Sequence, residues 1–168
     1  MIALVALVCA APFVSAWVAY YFVKPEGGKS YGELLPTTQI VTDQDRNVIG
    51  GEPVKGKWIV FQHELGSCDE QCLQSLYASR QARTMLGKDK DRLVRVLTIK
   101  SPPADVAVQH VDLVVKDATS AVDLSEPYRR GLVLVDPLGN QVIVWPKNPD
   151  IKKMNQDLAR LMRASRIG

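Results

Sequence analysis

The chain has 168 residues, 46% hydrophobic and 7% aromatic, with 21 Lys+Arg against 18 Asp+Glu, a net charge of +3 and 3 cysteines. That apolar content excludes an intrinsically disordered chain, and 3 cysteines over this length do not make a disulfide-stapled miniprotein. So small a net charge also lacks the electrostatic footprint of a nucleic-acid binder, and no nucleic-acid partner is expected.

The averages conceal a partition. Every charged residue lies beyond Val23, and the opening run MIALVALVCAAPFVSAWVAYYFV carries none. As a helix it would span roughly 33 Å, enough for a hydrocarbon core of about 30 Å. Pro12 would kink it, and Trp17, Tyr20 and Tyr21 suit the headgroup boundary. Nothing basic precedes Ile2, so residues 1–23 read as a single-pass transmembrane anchor rather than a cleaved signal, with Cys9 as apolar filler. The membrane is thus an expected partner. Lys24 and Lys29 follow the segment, and a charge count alone would keep the domain in the cytoplasm, so topology has to be decided by chemistry.

Residues 24–37 read as a linker, beginning with the Gly-rich KPEGGKSYG, and 38–168 as one domain. Within that domain, Gln39–Thr42 and Val48–Ile49 around a polar turn suggest a small hairpin. Lys57–Gln62 is apolar enough for a buried central strand ending near Gly66–Ser67–Cys68. From Asp69 to Leu86 the apolar residues, among them Cys72, Leu76, Ala82 and Met85, recur at helical spacing, with Gly87 as the C-terminal stop. The charged loop Lys88–Arg92 leads to a strand over Leu93–Ile99, ended by Ser101-Pro102-Pro103, and Val111–Val115 suggests another. Gly131–Val135 and Gln141–Trp145 flank Asp136-Pro137-Leu138-Gly139-Asn140 as a hairpin, and Asp150–Ile167 forms a last helix that carries the chain's positive excess. Strands alternating with helices predict an α/β domain with a central mixed sheet.

Cys68-Asp69-Glu70-Gln71-Cys72 is the constellation with chemical content. It falls where a strand hands over to a helix, so Cys68 is expected at or near the N-cap, where free backbone N–H groups and the helix dipole favour a thiolate. Spacing of i, i+4 puts both sulfurs on one face, close enough to form a disulfide or to ligate one soft metal ion. Asp69 and Glu70 oppose thiolate formation, which predicts a pair less oxidising than one with neutral intervening residues. Dithiol redox chemistry, soft-metal binding and a static structural disulfide all remain open on spacing alone.

The run from Thr38 to Cys72, together with Leu134-Val135-Asp136-Pro137-Leu138-Gly139, resembles the membrane-anchored, thioredoxin-fold Sco/SenC proteins, which assist assembly of the copper centre of cytochrome oxidase. The resemblance implies a thioredoxin-like central mixed sheet flanked by helices behind an N-terminal transmembrane helix. It implies a bacterial inner-membrane protein with its domain in the periplasm. It also implies that Cys68 and Cys72 act as catalytic dithiol, as Cu(I) ligands, or both, making the chain a thiol–disulfide oxidoreductase or a copper chaperone. Its partner would be a cytochrome oxidase subunit or another cysteine-containing protein.

Two departures stand out. Leu73 follows the second cysteine where the family usually has Pro, and the position expected to carry the family's copper-binding His is Tyr128. His63 and His110 are the chain's histidines, and each reads more readily as an ordinary structural residue than as a ligand. Two thiolates still suit Cu(I), whereas tight Cu(II) binding is not expected. The alternative is a non-catalytic thioredoxin-fold binding module with a structural disulfide.

Overall fold

The computed structural model describes residues 2–22, 30–38, 54, 56–102, 104–117, 126–165 and 167–168. They fall into two units, Met1–Ser30 and Tyr31–Gly168. The first holds helix α1, Ile2–Phe22, uncharged and with Pro12 inside it. Trp17 and Tyr21 pack with ring centroids 4.9 Å apart. Among the described residues no helix is long and apolar enough to cross a membrane. The transmembrane crossing expected of residues 1–23 therefore does not emerge from them.

The second unit is a six-stranded mixed sheet flanked by helices. In chain order it comprises β1 Glu33–Leu34, β2 Trp58–Ser67, α2 Glu70–Met85, a 3-10 turn Gly87–Arg92, β3 Leu93–Ser101, α3 Ala104–Gln109 and β4 Leu113–Asp117. These are followed by α4 Glu126–Arg130, β5 Gly131–Val135, β6 Gln141–Pro146 and α5 Ile151–Ala164. The strands lie in the order β1-β6-β5-β2-β3-β4. β2, β3 and β4 run parallel, and β5 pairs antiparallel with both β2 and β6. The α/β expectation, with Lys57–Gln62 as the central strand, holds. β4 covers the region where Val111–Val115 suggested a strand. The hairpin expected over residues 39–49 lies outside the described residues.

β2 is central because both its faces are apolar. Trp58 and Val60 point into one core with Ala82, Leu132, Leu134, Trp145, Met154 and Leu158. Ile59 and Phe61 point into the opposite core with Val96, Tyr128, Val133 and Val135. The period-2 side-chain alternation of a strand divides these sets. On α5, Met154, Leu158 and Met162 are buried, each contributing about 1.5–3 kcal/mol. Asp157 on the same helix is 3% exposed. It accepts from Tyr31 N at 3.2 Å, Gly32 N at 3.0 Å and Trp145 Nε1 at 3.0 Å. That carboxylate holds the entry to β1 against the domain, which makes Glu33 and Leu34, in the stretch read as linker, the edge partners of Val144 and Ile143.

Asp69 is the N-cap of α2, its side chain accepting from Cys72 N at 2.8 Å, and Cys68 lies directly before it, near the N-cap as expected. A carboxylate oxygen caps N–H groups far better than a sulfur does. The last helix ends at Ala164 rather than Ile167, because the Arg92 guanidinium collects the carbonyls of Met162, Ser165, Ile167 and Gly168 at 2.9–3.0 Å. The other end of α2 behaves as expected, with Gly87 at φ +60° just beyond it.

Candidate dithiol site

The C-terminal end of β2 carries the cysteine pair. Pairing of β2 with β3 becomes irregular between Glu64 and Ser67. Leu65, Gly66 and Ser67 are exposed where the chain leaves the sheet. Cys68 and Cys72 form a disulfide with their Cα atoms 5.2 Å apart. Cys68 is half-buried, whereas Cys72 is 0% exposed, packed against Leu76, Leu97, Ile99 and Val106. One cysteine is partly exposed and the other is enclosed. That asymmetry is the one a dithiol exchange needs, with one sulfur meeting a partner and the other resolving from within.

Beneath the pair lies a polar relay that the sequence reading missed. Gln62 Nε2 donates to the Cys72 carbonyl at 3.3 Å and to Glu64 Oε1 at 3.2 Å. Glu64 Oε2 in turn pairs with Lys147 Nζ at 3.0 Å. Gln62 is 4% exposed and Glu64 8%, so the relay is buried on the face of β2 that looks toward α2. The available signal was two polar residues at i, i+2 in an otherwise apolar central strand, hence on one face.

His63 takes the intervening position and therefore the opposite face of β2. Its Nδ1 lies 2.8 Å from Thr98 Oγ1. Burial holds its pKa below the usual histidine value, with Arg129 and Lys147 acting in the same direction and Glu64 against it. His110 is buried between α3 and β4, far along the chain from the pair. Its pKa is lowered first by burial and then by Arg95 and Arg80, against Asp112. Neither histidine shares a face of β2 with the relay beneath Cys72. Tyr128, where a histidine ligand was sought, is 2% exposed and packs edge-on to Phe61 at 5.5 Å. Burial raises its phenol pKa.

Among the described residues no group of three His, Cys, Asp or Glu side chains is arranged to hold a metal ion. The donor set fits a two-coordinate soft cation between two thiolates once the disulfide is reduced. The described residues offer no third ligand to it.

The family model described as "Transmembrane-like, thioredoxin-like, C-terminal domain" matches residues 58–165, from the first residue of β2 to just beyond α5. The chain belongs to this thioredoxin-like family. The matched span contains the disulfide, the relay and the whole sheet except β1.

Among solved structures, the family member is similar to ScoI of Arabidopsis thaliana with copper bound, at 17% identity and a TM-score of 0.52 over 81% of this chain and 100% of that one. It is likewise similar to ScoI of Bradyrhizobium japonicum with copper bound, at 17% identity and a TM-score of 0.51 over 78% and 99%. No curated protein matches its sequence. The Sco/SenC-like thioredoxin fold expected from Thr38 to Cys72 and Leu134 to Gly139 is thereby shown.

Proposed function

We propose that this chain is a membrane-anchored, periplasmic thiol–disulfide oxidoreductase that serves assembly of the cytochrome oxidase copper centre. The observation that carries the proposal is the Cys68–Cys72 disulfide with Cys68 partly exposed and Cys72 enclosed. In the reductase direction, the Cys68 thiolate attacks one sulfur of a partner's disulfide. The partner's S–S bond breaks, one partner thiolate leaves, and a mixed disulfide forms. Cys72, deprotonated, then attacks Cys68 Sγ, expelling the second partner thiolate and leaving the intramolecular disulfide. An external dithiol returns the pair to the reduced state.

Copper enters as cargo. The copper-bound ScoI structures and the two soft sulfurs support Cu(I) held between Cys68 and Cys72 in the reduced chain. Tyr128 and the placement of His63 argue against a further ligand from the positions considered. The anchor rests on the uncharged run through Val23, and the periplasmic side on disulfide chemistry, which oxidising compartments favour.

The deciding experiment is trapping. Reduced full-length chain carrying Cys72→Ala should form a stable mixed disulfide with a cysteine-containing partner, here an oxidised peptide bearing the two cysteines of an oxidase copper site. Cys68→Ala should trap little. A disulfide that resists thioredoxin-type dithiols at about −270 mV, with neither variant trapping, would identify a structural staple and a binding module instead. Cu(I) titration of the reduced chain should give one ion per chain, lost on either substitution.

A further inference from the structure

The side chain beneath the disulfide is only half used. Both contacts made by Gln62 Nε2 are to oxygen acceptors, the Cys72 carbonyl and Glu64 Oε1. The network therefore orients the carboxamide, with its NH2 end as the donor end. Its other end, Oε1, is buried and has no hydrogen-bond partner among the described residues. A buried carbonyl oxygen without a donor is a standing cost to a fold and calls for a reason. The residue to which this amide is tied is Cys72, whose surroundings are otherwise the apolar Leu76, Leu97, Ile99 and Val106. In the disulfide, Cys72 Sγ has no hydrogen to donate. In the dithiol it does.

We infer that Gln62 Oε1 is the acceptor for the Cys72 thiol, through a hydrogen bond present only in the reduced state, and that Gln62 thereby poises the reduction potential of the pair. The inference rests on the exchange chemistry proposed above and adds a positioning residue to that site. Reduction consumes two electrons and two protons, supplied by a partner dithiol that leaves as its own disulfide. The Cys68–Cys72 bond breaks, S–H bonds form on both cysteines, and the Cys72 S–H finds the waiting acceptor. Gln62 favours the dithiol and makes the pair a stronger oxidant than it would be with an apolar residue there.

Full-length chain in detergent, with Cys9→Ala to remove the remaining thiol, would be equilibrated against glutathione redox buffers. Gln62→Leu should make the disulfide about tenfold harder to reduce, a potential about 30 mV more negative. Glu64→Gln, which leaves Gln62 Oε1 in place while breaking the pairing with Lys147, should move the equilibrium far less. In a Cys68→Ala chain, the infrared S–H stretch of Cys72 should lie at lower frequency with Gln62 present than with Gln62→Leu or Gln62→Met. An unchanged potential together with an unchanged S–H band overturns the inference. If the wild-type pair never equilibrates with thiols, the oxidoreductase reading fails instead, and the infrared comparison still decides the Gln62–Cys72 bond because it requires no disulfide. Should Gln62→Leu not fold, Gln62→Met and the infrared band carry the test.

Discussion

The least expected single residue is Arg95, on the sheet face under α2 with its side chain 1% exposed. It donates to Asp112 Oδ1 at 3.1 Å, Ser79 Oγ at 3.1 Å and the Leu76 carbonyl at 2.6 Å. Burial lowers its pKa and Asp112 opposes that shift. For Asp112, burial is the largest influence and acts upward, but the Arg95 charge and hydrogen bond, with Arg83 behind them, bring the net pKa below the usual value. Removing Asp112 strands a buried cation, so Asp112→Ala should destabilise by about 3 kcal/mol in urea unfolding. Arg95→Met should cost less, since Asp112, 28% exposed, can turn to water. The two histidines set a pH dependence. Their folded pKa values lie below the ordinary value of about 6.5, so the unfolded chain takes up protons that the fold resists. Their contribution to stability is present above about pH 6.5 and is lost as pH falls through the folded values. Unfolding midpoints measured from pH 7.5 downward should decline, and His63→Gln with His110→Gln should flatten the decline. A sequence shows that an arginine interrupts a strand, but not which carboxylate answers it, because Asp112 reaches Arg95 only after β4 pairs beside β3.

Helices and strands were the most legible scale, for local reasons. The period-3.6 pattern over Asp69–Leu86 and the stop at Gly87 are intrinsic to α2, and the Asp136–Asn140 turn carries its own closure. There Asp136 Oδ1 accepts from Leu138 N at 2.9 Å and Asn140 N at 2.8 Å, while Gly139 takes φ +92°. The cap itself is Asp69, one residue beyond Cys68, whose place near the helix start the strand-to-helix junction already implied. Asp69→Ala should cost about 1 kcal/mol, read in thermal unfolding, by leaving the Cys72 amide without its acceptor. β1 escaped notice because two residues carry no periodicity. Its attachment depends on Asp157, and Asp157→Ala should cost about 3 kcal/mol or more by leaving Trp145 Nε1 and two backbone amides without their acceptor. Gly131 opens β5 directly against the Trp145 carbonyl, where a Cβ has no room. Gly131→Ala should therefore shift β5 against β6 and sharply reduce the yield of folded chain, measured by circular dichroism of the soluble fraction.

For the whole molecule, composition set the uncharged run through Val23 apart from the charged remainder, and the chain falls into the units Met1–Ser30 and Tyr31–Gly168. The dithiol could be located from sequence because the strand-to-helix junction that presents it is a local event. The sheet order was another matter. Placing β2 between β5 and β3 sets Gln62 and Glu64 beneath Cys72, turns His63 to the opposite face and brings Lys147 to Glu64 from β6's far end. Lys147 is 83 residues from Glu64, and periodicity records that a side chain is buried without recording what buries it. The closeness of the two cysteines was thus written in their spacing, whereas tertiary structure alone decided that Cys72 is enclosed and that the Gln62 amide lies against its carbonyl.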